Sequence, residues 1–298
     1  MNGAAGSRRT SSRAEAVRRP FLFWFISPAA LVAAGFLLAM AAVLQYAFLA
    51  FIPGELQPGG FTLQNFREMM KPLYAGVFYD TVKLCFLTAV LALLAGYPLA
   101  LALVRARNPY VKSAILIISV TPLFLGEVIR TYAWIIVLGN RGFVNGSLMA
   151  LGLIDAPIPL LFTRLGVVVA LVHVTLPVVV IMLAAAIAHI DRDLERAAAA
   201  LGARPLRVFW TVTLPLSMPG IIAGLTTGFA WTFSAFATPQ LIGGGRVNMV
   251  SNLVYSLGFA SFNFPFAAAL SVAGLVLTAV ALAGFRLLLR PLHKVGLT

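Results

Sequence analysis

Long apolar runs alternate along the chain with short polar tracts rich in arginine. Six runs are long enough for a helix to cross a bilayer, which takes about 20 predominantly apolar residues. They cover residues 21–51, 76–104, 113–138, 165–188, 218–242 and 264–289. Hydrocarbon offers backbone groups no partners, so only helices or closed barrels span it. Barrel strands would alternate apolar and polar positions, and these runs are uniformly apolar. The pattern predicts an all-α polytopic membrane bundle of six transmembrane helices.

The polar tracts set an expected orientation. One set of connections holds Arg8, Arg9, Arg13, Arg18 and Arg19, then Arg105, Arg107, Lys112, Arg192, Arg196, Arg204, Arg207, Arg286, Arg290 and Lys294. The alternate set holds Arg67, Lys71, Arg141, Arg164 and Arg246. Basic residues are retained on the cytoplasmic side, so both termini are expected there, in a bacterial inner membrane. Residues 1–19 read as a basic cytoplasmic tail without regular structure. The apolar run behind it, about 30 residues, exceeds the 7–15 of a cleavable signal and reads as a retained anchor.

Composition agrees with lipid as solvent: 61% of the 298 residues are hydrophobic and 10% are charged. The net charge of +13 does not indicate nucleic acid, because the arginines are dispersed between apolar runs and form no continuous basic face. Cys85, the single cysteine, lies in an apolar run and reads as packing. His173 and His189 have no companion at metal-ligand spacing, so no metal site is expected. No glycine-rich loop carries the lysine of a phosphate-binding P-loop; the triplet Gly243–Gly245 reads as a flexible outer loop. The connections at 52–75 and 139–164 hold two further short helices, in "FTLQNFREMM" and "GFVNGSLMALGLI".

The connection at 189–216 differs from an ordinary loop. Asp191, Asp193 and Glu195 stand where acids complement the exposed N–H groups of a helix start. Ala197 and Ala198 begin a four-alanine run, and alanine is the best helix former. Gly202 ends that helix, and Arg204-Pro205 begins another, with proline in its first turn. Leu206, Phe209 and Trp210 fall on one helical face. The segment predicts helix, glycine turn, helix. An alternative is a hairpin lying on anionic headgroups, but an alanine-smooth first helix suits a protein groove better.

This stretch, "ERAAAALGA" with Leu214-Pro215 downstream, resembles the EAA loop of ABC-importer permease subunits. Arg196 stands where that pattern has its first alanine, and Glu195, Ala197 and Gly202 match. "IRTYAWIIVLGNRGFVN" and "FATPQLIGGG" are similar to the spermidine/putrescine branch of these permeases, which implies a polyamine or another organic cation as solute, with iron, sulfate or thiamine as the alternative because related permeases share similar stretches. The resemblance implies a type I importer permease fold and a coupling segment seated on a cytoplasmic ATPase dimer. It also implies a second, non-identical permease subunit and an extracytoplasmic solute-binding protein. ATP and Mg would then be held by the ATPase, with no cofactor on this chain. Arg204 and Arg207 are candidates for pairing with acids of that ATPase, or are simply solvated.

Ionisable groups inside spans default to function. Glu127, Arg130, Thr131 and Trp134 share a helical face in the third run. A carboxylate with aromatics suits an organic cation; the plainer reading pairs Glu127 with Arg130. Asp80 and Lys83 are expected to pair with each other, with Asp80 also a candidate for the solute path. Trp231, Ser234 and Thr238 either line a passage or pack. Gly220, Gly224 and Gly228 are spaced for close helix approach, within the subunit or against its partner. The rivals are a self-sufficient secondary transporter, which needs ionisable residues near the membrane midplane, and an intramembrane enzyme, which needs paired catalytic groups. The chain has few such ionisable residues, which leaves a secondary transporter as the lesser alternative, and no catalytic pairing is readable.

Overall fold

A computed structural model describes residues 7–55 and 57–295, with side chains described for 26–55 and 57–287. The described residues form fourteen α-helices. They are α1 (Ser7–Ala47), α2 (Gln64–Met69), α3 (Pro72–Arg105), α4 (Pro109–Phe124), α5 (Glu127–Leu138), α6 (Phe143–Ala150) and α7 (Arg164–Ala188). After these come α8 (Arg192–Ala200), α9 (Pro205–Val208), α10 (Leu214–Leu216), α11 (Met218–Ser234), α12 (Ala237–Gly243), α13 (Val250–Tyr255) and α14 (Phe264–Val295). Two π-helical turns, Phe209–Thr213 and Ser256–Ala260, are inserted after α9 and α13. The fold is an all-α membrane helix bundle.

Four helices, α1, α3, α7 and α14, are each long and apolar enough to cross a membrane. The third and fifth expected spans are not single straight helices. The third breaks between α4 and α5, where the chain bends by 111°. The fifth is entered through a 64° bend at Ser217 and stops at Ser234, with α12 as a separate helix. Six spans result when each bent pair counts as one. The first run also ends earlier than expected, at Ala47. The backbone of α1 starts at Ser7, inside the tail expected to lack structure. Residues 1–6, and the side chains of the tail arginines, Arg290 and Lys294, lie outside the described residues.

The centre of the bundle is α7, apolar on every side, as a fully surrounded helix should be. More than half of its most apolar stretch is buried by the rest of the chain, against none for α1. Helices α3 and α11 flank it. Lipid tails are as apolar as leucine, so helix association depends on close packing and interhelical hydrogen bonds. Both are present. Gly96 of α3 faces Val179 and Val180 of α7. On α11, Gly220 faces Ala186, Gly224 faces Val179 and Gly228 faces Thr175. The three glycines therefore serve packing within the subunit. The buried hydroxyls of Thr175 and Thr232 link the same two helices at 3.2 Å. Cys85 is buried in this core, as expected.

A Cβ added at Gly220 would overlap that of Ala186. Overpacking a tight core costs about 1–3 kcal/mol. Gly220→Val should therefore lower the thermal midpoint of the purified protein. Gly35→Val, where nothing lies near an added Cβ, should leave it in place in the same thermal scan.

Candidate functional site

At the end of the bundle where α3 and α7 finish, residues 191–217 fold back as a compact unit. Asp191 is the N-cap of α8, its carboxylate accepting the Asp193 N–H at 2.9 Å. Asp193 pairs with Arg196 on the solvent face. Four alanines carry α8 to Leu201. The N–H of Gly202 then bonds the carbonyl of Ala199 (3.0 Å), and the N–H of Ala203 that of Ala198 (3.1 Å). This is the Schellman ending, which requires a left-handed residue at the turn; Gly202 has φ +86°. An added Cβ there would meet nothing, so the demand for glycine is one of backbone conformation. Arg204 caps α9 and Pro205 opens it.

Glu195 holds this unit to the bundle. One of its oxygens accepts Arg105 Nη2, at the end of α3, at 2.5 Å. The same oxygen accepts the Thr213 hydroxyl at 2.7 Å. Both charged side chains are about one-fifth exposed. Arg192 adds a second tie, donating to the Val104 carbonyl at 3.1 Å. Tyr97 of α3 meets Phe209 edge-on at 5.6 Å and shares a 2.8 Å hydrogen bond with Ser217. A cleft of about 670 Å³ lies between α3 and this unit, bordered by Pro98, Glu195, Ala199 and Pro205.

Sequence periodicity places Leu206, Phe209 and Trp210 on one face, but the structure divides them. Phe209 turns towards Tyr97, while Leu206 and Trp210 stay exposed. The π-turn that starts at Phe209 adds a residue per turn and shifts the register at that point. Leu201, at 90% exposure, and Leu194 join Leu206 and Trp210 outside. Sequence reading missed both leucines; Leu201 is signalled by its place at the helix stop, whereas Leu194 lies in the first turn of α8. Arg204 and Arg207 are exposed, with no ion pair among the described residues. Leu214 and Pro215 lie in α10; Pro215 sits in its first turn and does not terminate a helix.

At the opposite end, the two breaks meet. Glu127 and Arg130 do not pair. Glu127 Oε1 accepts the Ala237 N–H, at the start of α12, at 3.1 Å. Arg130 is buried and donates to the Pro122 carbonyl, in the last turn of α4, at 2.6 Å. Thr131 and Thr238 are buried with their hydroxyls 3.3 Å apart. Trp134 turns inward and donates Nε1–H to Nδ1 of His173 at 3.1 Å. Trp231 and Ser234 are exposed. Of the expected face, Glu127, Thr131 and Thr238 are brought together around the α5–α12 contact, and Trp134 is spent on packing. Asp80 pairs with Arg164 of α7 at 2.7 Å, not with Lys83. One turn of helix separates Asp80 from Lys83, whereas Arg164 opens the neighbouring helix at the same level.

Three polar residues that sequence reading did not single out organise this end. Asn145 is fully buried and donates to the Gly139 and Ile158 carbonyls. Ser251 donates to the Ala235 carbonyl at 2.7 Å and Asn252 to that of Phe236 at 3.2 Å. Gly243–Gly245 is an ordered stop, not a slack loop: Gly243 ends α12, and Gly244 and Gly245 both have positive φ.

The structure is a membrane helix bundle with a helix–turn–helix unit tied to one end and exposing Leu201, Leu206 and Trp210. Residues 90–294 match the family of binding-protein-dependent transport system inner membrane components, and the chain belongs to that family. It is 34% identical to the spermidine/putrescine transport system permease protein PotB of Haemophilus influenzae, over 74% of this chain and 76% of that one. It is 32% identical to PotB of Escherichia coli, over 71% and 77%. The molybdenum transport system permease protein ModB of Mycobacterium bovis is 35% identical over 68% and 75%. In fold, the chain is similar to a subunit of a bacterial alginate ABC transporter (TM-score 0.78, 20% identity, 94% of this chain and 98% of that one).

Charge-assisted hydrogen bonds contribute about 1.5–3 kcal/mol when partly buried, and each 1.4 kcal/mol is tenfold in an equilibrium. Glu195→Ala should therefore speed amide exchange in α8 by about tenfold or more. Arg105→Ala should act in the same direction, and the double variant should add little to either single change, as coupled partners do. Hydrogen exchange resolved to residues 192–200 checks this.

Proposed function

We propose that this chain is the transmembrane subunit of an importer that carries polyamines such as spermidine and putrescine inward. Residues 191–216 act as the coupling segment. They dock on one subunit of a cytoplasmic ABC ATPase dimer, which holds the ATP and Mg; the present chain supplies no catalytic group. A second, different permease subunit completes the pathway, and an extracytoplasmic binding protein delivers solute. The coupling segment and both chain ends face the cytoplasm of a bacterial inner membrane.

The observation that carries the reading is the construction of the coupling segment. It is rigid where it meets its own bundle, through Glu195, Arg105 and Thr213. It is apolar where nothing of its own covers it, at Leu201, Leu206 and Trp210. A segment meant only to lie on headgroups has no need of ties that fix its angle to α3 and α11. Force applied at Leu201 passes through Glu195 to α3 and through Thr213 to α11, the two helices that flank α7. Arg204 and Arg207 border the docking face and complement acids on the ATPase.

The solute assignment is supported by the likeness to two spermidine/putrescine permeases and by Glu127. That residue is the sole carboxylate between Asp80 and Asp155, and none follows Glu195. An organic cation gains charge pairing there and about 0.5–2 kcal/mol from each aromatic face it meets. A molybdenum system is the second reading, because one relative at 35% identity serves one.

Affinity purification of the tagged chain from its own host should recover an ABC ATPase and a second permease. Gly202→Asp, which forces a charged side chain into the left-handed turn, should lose the ATPase while keeping the second permease. Recovery of the ATPase regardless of this change overturns the coupling role. Uptake of labelled spermidine, putrescine and molybdate by the purified complex decides between the two solute readings.

A further inference from the structure

A groove on the wall of the bundle belongs to none of the sites described above. It runs between α3 and α7 and holds about 370 Å³. Buried Leu84 and Val168 form its floor, and the exposed side chains of Leu87, Leu91, Leu165 and Val169 form its walls. The lining is aliphatic except at one end, where Asp80, Lys83 and Arg164 border it. That end is the one away from residues 191–217.

Position along α3 sets the depth of the groove in the membrane. The stretch Leu84–Val104 carries no charge. At 1.5 Å per residue it runs about 31 Å, which matches a hydrocarbon core of about 30 Å. Lys83 therefore stands at headgroup level, and so does Arg164, which opens α7 and bonds Asp80. From Lys83 to Leu91 the groove descends about 12 Å, most of the way to the bilayer midplane.

The rim carries more cation than anion. Asp80 Oδ2 accepts from Arg164 Nη2 at 2.7 Å, and the remaining guanidinium N–H groups can serve another acceptor. Lys83 is exposed and has no ion pair among the described residues. The walls differ from the helix contacts inside the bundle, which close on Gly96, Gly220, Gly224 and Gly228. Leucine and valine walls without glycine leave a furrow for a thin, flexible chain, not a seat for a helix about 10 Å across.

We propose that the α3–α7 groove binds an anionic phospholipid from the leaflet away from residues 191–217. One acyl chain lies in the furrow against Leu87, Leu91 and Val169. The phosphodiester oxygens accept from Lys83 and from the guanidinium of Arg164. A zwitterionic lipid brings a cation of its own beside Lys83 and gains less. The bound headgroup adds a polar tie between α3 and α7 next to the Asp80–Arg164 pair. The site does not depend on which solute the bundle passes.

The test uses the full chain with its associated subunits, extracted in mild detergent. It is given equal amounts of phosphatidylglycerol and phosphatidylcholine with identical acyl chains. Native mass spectrometry should find phosphatidylglycerol retained in preference. Lys83→Gln should reduce that preference about fivefold, the effect of one basic residue at a membrane surface. Lys112→Gln, at an exposed lysine on the other end of the bundle, should leave it unchanged. An unchanged preference in Lys83→Gln overturns the site, as does equal loss in the two lysine variants. Leu87→Trp, which fills the furrow, should lower retention of both lipids; full retention overturns the furrow as the acyl seat. If Leu87→Trp fails to assemble, the lysine variants decide. Excess inorganic phosphate should displace neither lipid, and displacement marks a free-anion site instead. Benzoylphenylalanine in place of Leu91, irradiated in native membranes, should gain the mass of a phospholipid. Attachment to a second protein chain instead means that a partner subunit covers the groove, and overturns the lipid.

Discussion

A chain dissolved in hydrocarbon has no water to satisfy a helix end, and this bundle depends on side chains that do so. Each interrupted helix leaves its last carbonyls without partners. Asn65 donates to the Ala47 and Leu49 carbonyls where α1 stops. Arg130 serves α4, Asn145 serves the end of α5, Arg192 serves α3, and Ser251 serves the end of α11. Nearly all come from positions 8 to 88 residues away, so each cap also ties two elements together. An unsatisfied backbone group at membrane depth costs several kcal/mol. The caps are what permit α4 and α11 to end after 16 and 17 residues, about 25 Å at 1.5 Å per residue and short of a full span.

Those two short helices shape the far end of the molecule. Their breaks bring α5 against α12, place Glu127 at the N-terminus of α12, and bury Thr131 beside Thr238. Arg130 is tolerated in a buried position because it is a C-cap, and a cation at a helix C-terminus complements the dipole. Glu127 is held by the Ala237 N–H and forms no ion pair with Arg130. Tyr255, the last residue of α13, meets Phe236 with ring centroids 4.7 Å apart at a 45° tilt.

The basic end follows a different economy of contacts. Its backbone needs are met locally, by the Asp191 cap and the Schellman turn at Gly202. Its long-range ties run through Glu195, with the Arg192 and Tyr97–Ser217 hydrogen bonds beside it. The Glu195 carboxylate bonds Arg105 at the end of α3 and Thr213 in the turn leading to α11, which ties residues 191–217 to the helices on either side of α7. Gly220, Gly224 and Gly228 hold α11 close against α7.

Much of this was legible in the chain alone. Six apolar runs and the all-α bundle follow from hydropathy, because the bilayer imposes length and helicity on any span. The helix–turn–helix unit at residues 191–216 follows from local rules: a capping acid, an alanine run, a glycine where φ must be positive, a proline in a first turn. The glycine triad on α11 announces close packing by its spacing. What local rules cannot reach is which distant group answers a given charge or carbonyl. Asp80 has Lys83 one turn away and pairs with Arg164 of another helix; Glu127 has Arg130 one turn away and binds a backbone N–H 110 positions on. The breaks in the third and fifth runs are invisible to hydropathy, since both halves are equally apolar and the polar residues that stabilise the breaks lie in other elements. The sequence by itself determined the solvent, the helices and the motif, all set by interactions within a few residues. Only the tertiary structure decided the partners, because a buried polar group takes whichever partner the packed helices bring within about 3 Å.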